Sequence, residues 1–211
     1  MPKLVPQKPR KNLERRNDSN LRIINAAMEL FSEKGYQRTT LIQIGQRAGF
    51  TGTLVSNRFG SKERVLRAVL AHILNRFERR ETLSSVQSKE SYSVSEHLDQ
   101  FVQMYLEDVA EQGARIRALY VIMGEALGAL PEISEEVVKV NHVFRGEIQN
   151  YLKQGVQSGE FSGHMDIKIV STMVVGLLRG VSMQLLVEPE RLELTEVIKA
   201  TQNAIQQMAR H

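Results

Sequence analysis

Apolar residues recur every three or four positions along most of this chain, and that period admits helices but not a sheet. Leu21, Ile24, Met28 and Phe31 fall on one stripe, the spacing of a helix with a single buried face. The same period returns in Leu66, Leu70, Ile73 and Phe77, in Leu98, Phe101, Tyr105 and Val109, and in Val140, Phe144, Ile148 and Tyr151. Stop and start signals stand between the stripes. Gly35 and Gly49 suit left-handed ends, while Thr40, Thr51, Ser61 and Asp166 suit N-caps. Ser93 with Glu96 forms a capping box, and Pro189 ends the run 167–187. The stretch 39–44 is β-branched enough to suggest a strand, but its short length and flanking caps favour helix. The spacing predicts an all-α fold of about nine helices, an N-terminal helix-turn-helix three-helix domain followed by a C-terminal helical bundle.

Charge divides the chain in two. Residues 1–80 hold 17 Lys/Arg against 6 Asp/Glu, and residues 81–211 hold 11 against 18. A basic module joined to an acidic one suggests that the first meets phosphates. The expected organisation is a flexible basic arm over 1–16, a helix-turn-helix DNA-binding domain over 17–64, a connecting helix over 65–80 and a second, acidic helical domain over 81–211. Lys3, Lys8, Arg10, Lys11, Arg15 and Arg16 of the arm either reach into a minor groove or form a solubilising tail. Cysteine is absent, so disulfides and thiolate chemistry are excluded, and the five histidines lack ligand spacing. No metal site and no cofactor are expected. The start has no secretory pattern, and Arg179 interrupts the apolar run 167–187, so a cytoplasmic chain with no membrane partner is expected.

The segment 39–63, TTLIQIGQRAGFTGTLVSNRFGSKE, carries most of the functional signal. Two short helices meet at Gly49, where small Ala48 permits a close crossing, and Ile44, Phe50, Leu54 or Val55, and Phe59 can form their miniature core. The second helix then offers Thr51, Gly52, Thr53, Ser56 and Asn57 outward, small groups that let a helix lie deep in the major groove. Arg58 and Lys62 flank it with charge suited to phosphates.

Residues 22–67, RIINAAMELFSEKGYQRTTLIQIGQRAGFTGTLVSNRFGSKERVLR, resemble the DNA-binding domain of the tetracycline-repressor (TetR) family. The shared features are Ala26-Ala27 with Glu29-Leu30-Phe31 and Glu33 to Tyr36, Thr39-Thr40, Ile44, Ala48-Gly49, and Phe59 to Glu63. The resemblance implies a homodimeric transcriptional regulator, a repressor released from a pseudo-palindromic double-stranded operator by a small-molecule effector. It implies that 81–211 is the effector-binding and dimerisation domain and that Thr40, at a helix N-terminus, contacts a phosphate. This chain departs from the family at Ser56, where Tyr is common, at Arg58, where His or Tyr stands, and at Gly45, where Ala is usual. Gly45 is expected to cost a little helix stability.

The run 167–187 has two apolar stripes, Val170, Leu177, Val181 and Leu185 on one side and Ile169, Met173, Gly176, Gly180 and Met183 on the other. A helix apolar on two sides must be covered on both, and a second subunit covers the outer one economically. Met173, Gly176, Leu177, Gly180 and Val181, with Val197, Thr201, Ala204 and Met208 of the last helix, are therefore the candidate dimer interface. Met104, Tyr105, Tyr120, Met123, Phe144 and Tyr151 are candidate walls of the effector pocket, with Glu125, Arg117 or His142 as polar contacts. Two rival readings stand beside the regulator. A non-specific architectural DNA binder would differ in salt slope and competition by unrelated DNA. A helical-bundle enzyme finds no support in nucleophile-elbow, P-loop, dinucleotide, zinc or di-metal Glu-x-x-His motifs.

Overall fold

The structure, a computed structural model, describes residues 9–87, 92–111, 113–128 and 130–210, with side chains from 14 to 75 and from 92 onward within these ranges. Its elements are α1 (Pro9–Lys34), α2 (Leu41–Ala48), α3 (Gly52–Phe59), α4 (Lys62–Gln87), α5 (Val94–Glu111), α6 (Gly113–Leu127), α7 (Ser134–Ser158), α8 (Ile167–Val187) and α9 (Leu194–Arg210). A single 3-10 turn at Pro131–Ile133 leads into α7. The chain is all-α, as its periodicity requires.

Caps set most boundaries. Thr40 and Gln43 form a reciprocal capping box at α2, the Asp166 carboxylate accepts from the Lys168 and Ile169 amides, and Ser93 and Glu96 close the start of α5. The capping box at Thr40 decides 39–44 against a strand. Two boundaries differ from expectation. Helix α1 begins at Pro9, upstream of 17, so residues 9–16 are the first turns of a long helix rather than arm; Pro at the first turn loses no hydrogen bond there. Residues 1–8, with Lys3 and Lys8, lie outside the described residues, as do the side chains of Arg10, Lys11 and Phe77. Helix α4 runs to Gln87, past residue 80 and into the serine-rich stretch.

Helices α1 to α3 and the first half of α4 enclose one small core, with Ile23, Phe31, Ile44, Val55, Leu66 and Ile73 fully buried. The rest is a bundle in which α5, α7, α8 and α9 pack around Leu98, Leu106, Ile148 and Leu152. Helices α4 and α6 join the two halves. Helix α6 lies along α1, and its Glu125 carboxylate accepts from the amides of Tyr36 and Gln37 at 2.9 and 3.3 Å. Glu125 thus ties α6 to the turn between α1 and α2. Arg117, another pocket candidate, donates to the Leu186 carbonyl at 3.1 Å, and His142 is exposed.

On α8 the buried line is Ser171, Val174, Val175, Leu178, Ser182 and Leu185. It is rotated from the expected inner stripe, whose Val170, Leu177 and Val181 are only half-buried. Two serines are accommodated in that line because each hydroxyl donates back to its own helix, at Lys168 and Leu178. The expected outer stripe is uncovered. Ile169, Met173, Met183 and Val187 are 58%, 53%, 52% and 70% exposed, and Gly176 and Gly180 stand between them.

Candidate nucleic-acid interface

The turn between α2 and α3 is built by glycine. Gly49 takes φ 76°, a left-handed end to α2, and Thr51 caps α3 by accepting from the Leu54 amide. The crossing itself is closer than a β-carbon allows. A Cβ on Gly45 would sit 2.7 Å from the Thr51 carbonyl carbon, and one on Gly52 would sit 2.8 Å from the Ile42 Cα. This corrects two expectations. Gly52 serves the crossing and does not turn a smooth face to DNA. Gly45 is the reason α3 can seat so close to α2, and its weak helix propensity is the lesser effect.

What remains outward on α3 is a row of small polar side chains: Thr51, Thr53, Ser56 and Asn57 are all exposed. Thr40 is exposed at the start of α2. Ile42 is 63% exposed beside this row. An exposed isoleucine against a polar row suits the C5-methyl of thymine, the one apolar group on a major-groove edge. Its position was visible in the sequence, but its β-branched side chain reads as core until the helix is oriented.

Several cations of the basic module are already engaged. Arg22 donates to the Ala48 carbonyl at 2.8 Å and lies over the Phe50 ring, stapling α1 to the turn. Arg47 bridges Glu29 and Glu33. Arg58 donates from one nitrogen to the Arg16 carbonyl, the Ser19 hydroxyl and the Asn20 side chain, so it clamps α3 to α1. Lys62 donates to the carbonyls of Tyr36 and Gln37, both at 3.0 Å, over the face of Tyr36. Its burial there holds its pKa below the usual lysine range, against the opposing charge of Glu125. Arg58 and Lys62 therefore do not extend freely toward solvent as expected. Partners 25 and more residues away carry no local sequence signal.

These placements separate the effects of two substitutions. Asn57 is exposed, so Asn57→Ala should change stability by no more than about 0.5 kcal/mol. Preference at one or two base pairs should relax by roughly 1–3 kcal/mol. Lys62→Ala, in contrast, removes two carbonyl partners and a ring contact, and should lower the melting temperature as well as DNA affinity. Thermal melts with binding to a panel of single-base operator variants check both; an unchanged base preference in Asn57→Ala would move the reading surface elsewhere.

Four of the six residues expected around an effector do assemble. Tyr105 and Phe144 meet edge to face at 6.0 Å, Phe101 stacks on Tyr105 at 6.3 Å, and Tyr151 lies 5.7 Å from Phe101. The Tyr120 hydroxyl donates to the Arg179 carbonyl at 3.2 Å, and burial pushes its pKa above the ordinary tyrosine range. Met104 and Met123 are half-buried. Phe101 and Arg179 were missed because periodicity reports which residues face inward, not which neighbours they find. The dimer candidates also cluster. Leu177, Val181, Leu192, Val197, Ala200 and Ala204 line an apolar groove of about 270 Å³ between α8 and α9. Thr201 forms part of its floor, buried with its hydroxyl donating to the Val197 carbonyl, and Met208 is half-buried.

The family model described as bacterial regulatory proteins, tetR family, matches residues 23–69. A second, described as tetracyclin repressor-like, C-terminal domain, matches residues 91–183. The HTH-type transcriptional regulator HbdR of Aromatoleum sp. (strain CIB) is 41% identical over 56 residues, covering 26% of this chain and 24% of that protein. The fatty acid metabolism regulator protein of Bacillus subtilis (strain 168) is 23% identical over 184 residues, covering 79% and 82%. A TetR-family transcriptional regulator from Rhodococcus sp. superposes with TM-score 0.79 at 16% identity, over 92% of this chain and 99% of that one. The regulator FadR from Bacillus subtilis, solved in complex with stearoyl-CoA, does so with TM-score 0.73 at 18% identity, over 89% and 98%. With a helix-turn-helix at one end, a helical domain at the other and family models matching both, this chain is a member of the TetR family of DNA-binding transcriptional regulators.

Proposed function

We propose that the chain acts as a homodimeric repressor on a pseudo-palindromic operator and leaves it when its helical domain takes up a small-molecule effector. The observation that carries this reading is the uncovered apolar face of α8 with the groove beside it. Water-exposed side chains of this size call for a partner surface, and a second copy offers the same face by two-fold symmetry. Two copies so joined present two α3 helices to successive major grooves, which fixes the half-site spacing near 34–36 Å or a multiple of it. The stearoyl-CoA bound by the Bacillus subtilis FadR favours acyl thioesters as the effector class. The aromatic set around Tyr105 and Phe144 offers the apolar wall that such a chain needs.

An effector can release DNA only by binding better to an arrangement whose α3 spacing misfits the operator, with a coupling of typically 1–3 kcal/mol. Two contacts carry a change in the bundle to the DNA-binding half. Glu125 of α6 holds the amides of Tyr36 and Gln37, and Lys62 of α4 holds the carbonyls of the same residues. Selection of bound fragments from random DNA tests the reading. A two-fold symmetric motif, lost from the complex on adding stearoyl-CoA, is the expected outcome. Binding that unrelated DNA competes away equally would favour a non-specific architectural protein instead.

A further inference from the structure

Arg179 is placed where a bundle has little use for a cation. It lies midway along α8 and is half-buried, at the edge of the line that packs into the core. One nitrogen, Nη1, donates to the Asn141 side chain of α7 at 2.6 Å, and the guanidinium lies 5.7 Å from the Phe144 ring centroid. The other, Nη2, is shielded from solvent and has no hydrogen-bond acceptor. The groups that act on its charge are Tyr105, Tyr120 and Arg145, and none of them is a carboxylate. Burial and the like charge of Arg145 both hold its pKa below the usual arginine range.

That arrangement is costly, because guanidinium stays charged at any physiological pH and cannot escape by losing its proton. Buried charges are ordinarily paired, and a shielded donor without an acceptor forfeits its hydration with nothing in exchange. A methionine would fill the same length of α8 at no such cost. Asn141 meanwhile holds the guanidinium by one nitrogen only, leaving the Nη2 hydrogens aimed and unspent. A planar fork held in this way is suited to an anionic oxygen.

We infer that Arg179 receives the anionic group of the effector, a carboxylate or phosphate oxygen on an apolar body that lies against Phe101, Tyr105, Phe144 and Tyr151. Asn141 is the positioning residue, and the Tyr120 hydroxyl fixes the backbone of α8 at this point. The inference rests on the reading that the helical domain holds the effector. It adds that the charge of the effector, and not only its chain, is recognised. A free fatty acid would present a carboxylate and an acyl-CoA would present its phosphates.

The test uses the full chain with dodecanoate, dodecanoyl-CoA and the neutral dodecanol as probes, in wild type, Arg179→Met and Arg179→Gln. Without ligand, Arg179→Met should melt above wild type, since it removes an unpaired charge. Wild type should bind at least one of the two anions, and both variants should bind it about tenfold more weakly or worse, a loss of about 1.4 kcal/mol. Dodecanol should not distinguish the three proteins. Binding of dodecanoate assigns the carboxylate, and binding of dodecanoyl-CoA alone assigns the phosphates. Folded variants that bind the anions within twofold of wild type overturn the inference, as does a wild type that binds neither. Release of operator DNA by dodecanol alone would likewise overturn it while leaving effector control intact. If no probe of any charge released DNA, the effector reading itself would be in question.

Discussion

Gly45→Ala is expected to lower the melting temperature and to remove sequence-specific DNA binding together, although alanine is the better helix former. The methyl group would lie 2.7 Å from the Thr51 carbonyl carbon and 2.8 Å from the Gly52 nitrogen. Those are backbone atoms, which cannot rotate aside as a side-chain end could. Overpacking of this kind costs typically 1–3 kcal/mol, against a gain of about 1 kcal/mol from helix propensity. A net loss of 1 kcal/mol lowers the melting temperature of a chain of this size by roughly 2–4 °C. The larger effect is positional. Relief of the clash moves Thr51, which caps α3, and so displaces the exposed Thr53, Ser56 and Asn57 together. Each good base contact discriminates by roughly 1–3 kcal/mol, so losing two should weaken operator binding on the order of 100-fold. Melts and competition with unrelated DNA measure the two effects separately. Wild-type values in both would show that the crossing has slack.

That crossing marks where the sequence stops being legible. The helices were readable because each is announced locally, by a cap such as Thr40 or Asp166, a stop such as Gly49, and an apolar stripe between. Gly45 was misread for the same reason. Helix propensity is a property of one residue in its own helix, whereas the need for glycine there comes from a backbone segment across the turn. The early start of α1 was missed because charged, proline-flanked residues look like a tail in isolation. What they pack against becomes visible only with Arg58 donating to the Arg16 carbonyl and to Ser19.

The site divides along the same line. Thr51, Thr53, Ser56 and Asn57 were legible because outward positions follow directly from helical period once the inward ones are known. The cations were not. A basic residue has a long side chain and several donors, so its target depends on which carbonyls lie within reach in three dimensions. Arg22, Arg58 and Lys62 each found acceptors more than twenty positions away in sequence. The excess positive charge of residues 1–80 therefore overstates the charge available to phosphates. In the bundle, periodicity picked Tyr105, Tyr120, Phe144 and Tyr151 as inward residues, but it assigned Arg179 no role beyond breaking a hydrophobic run.

Replacing Gly176 and Gly180 together by leucine should yield a folded chain that is monomeric and binds its operator poorly. A β-carbon at either glycine meets nothing within 4 Å in its own chain. The substitutions therefore cost the fold nothing by packing, and each should add up to about 1 kcal/mol of helix propensity. Between chains the sign reverses. The glycines stand among Ile169, Met173 and Met183, all more than half exposed, next to the groove lined by Leu177, Val181 and Val197. Helices that meet on such a face approach closely because two positions per helix lack a side chain. Two-fold symmetry places four leucines in that space, each overpacking by roughly 1–3 kcal/mol. A separated chain carries one α3 and can fill only one half-site. It forgoes the effective concentration that a linked second module supplies, so operator affinity should fall by on the order of 10²–10⁴. Sedimentation equilibrium and gel-shift titration read the two consequences. A wild-type chain that is monomeric at micromolar concentration would overturn the dimer itself, and a double variant that stays dimeric with unchanged affinity would place the interface on some other surface.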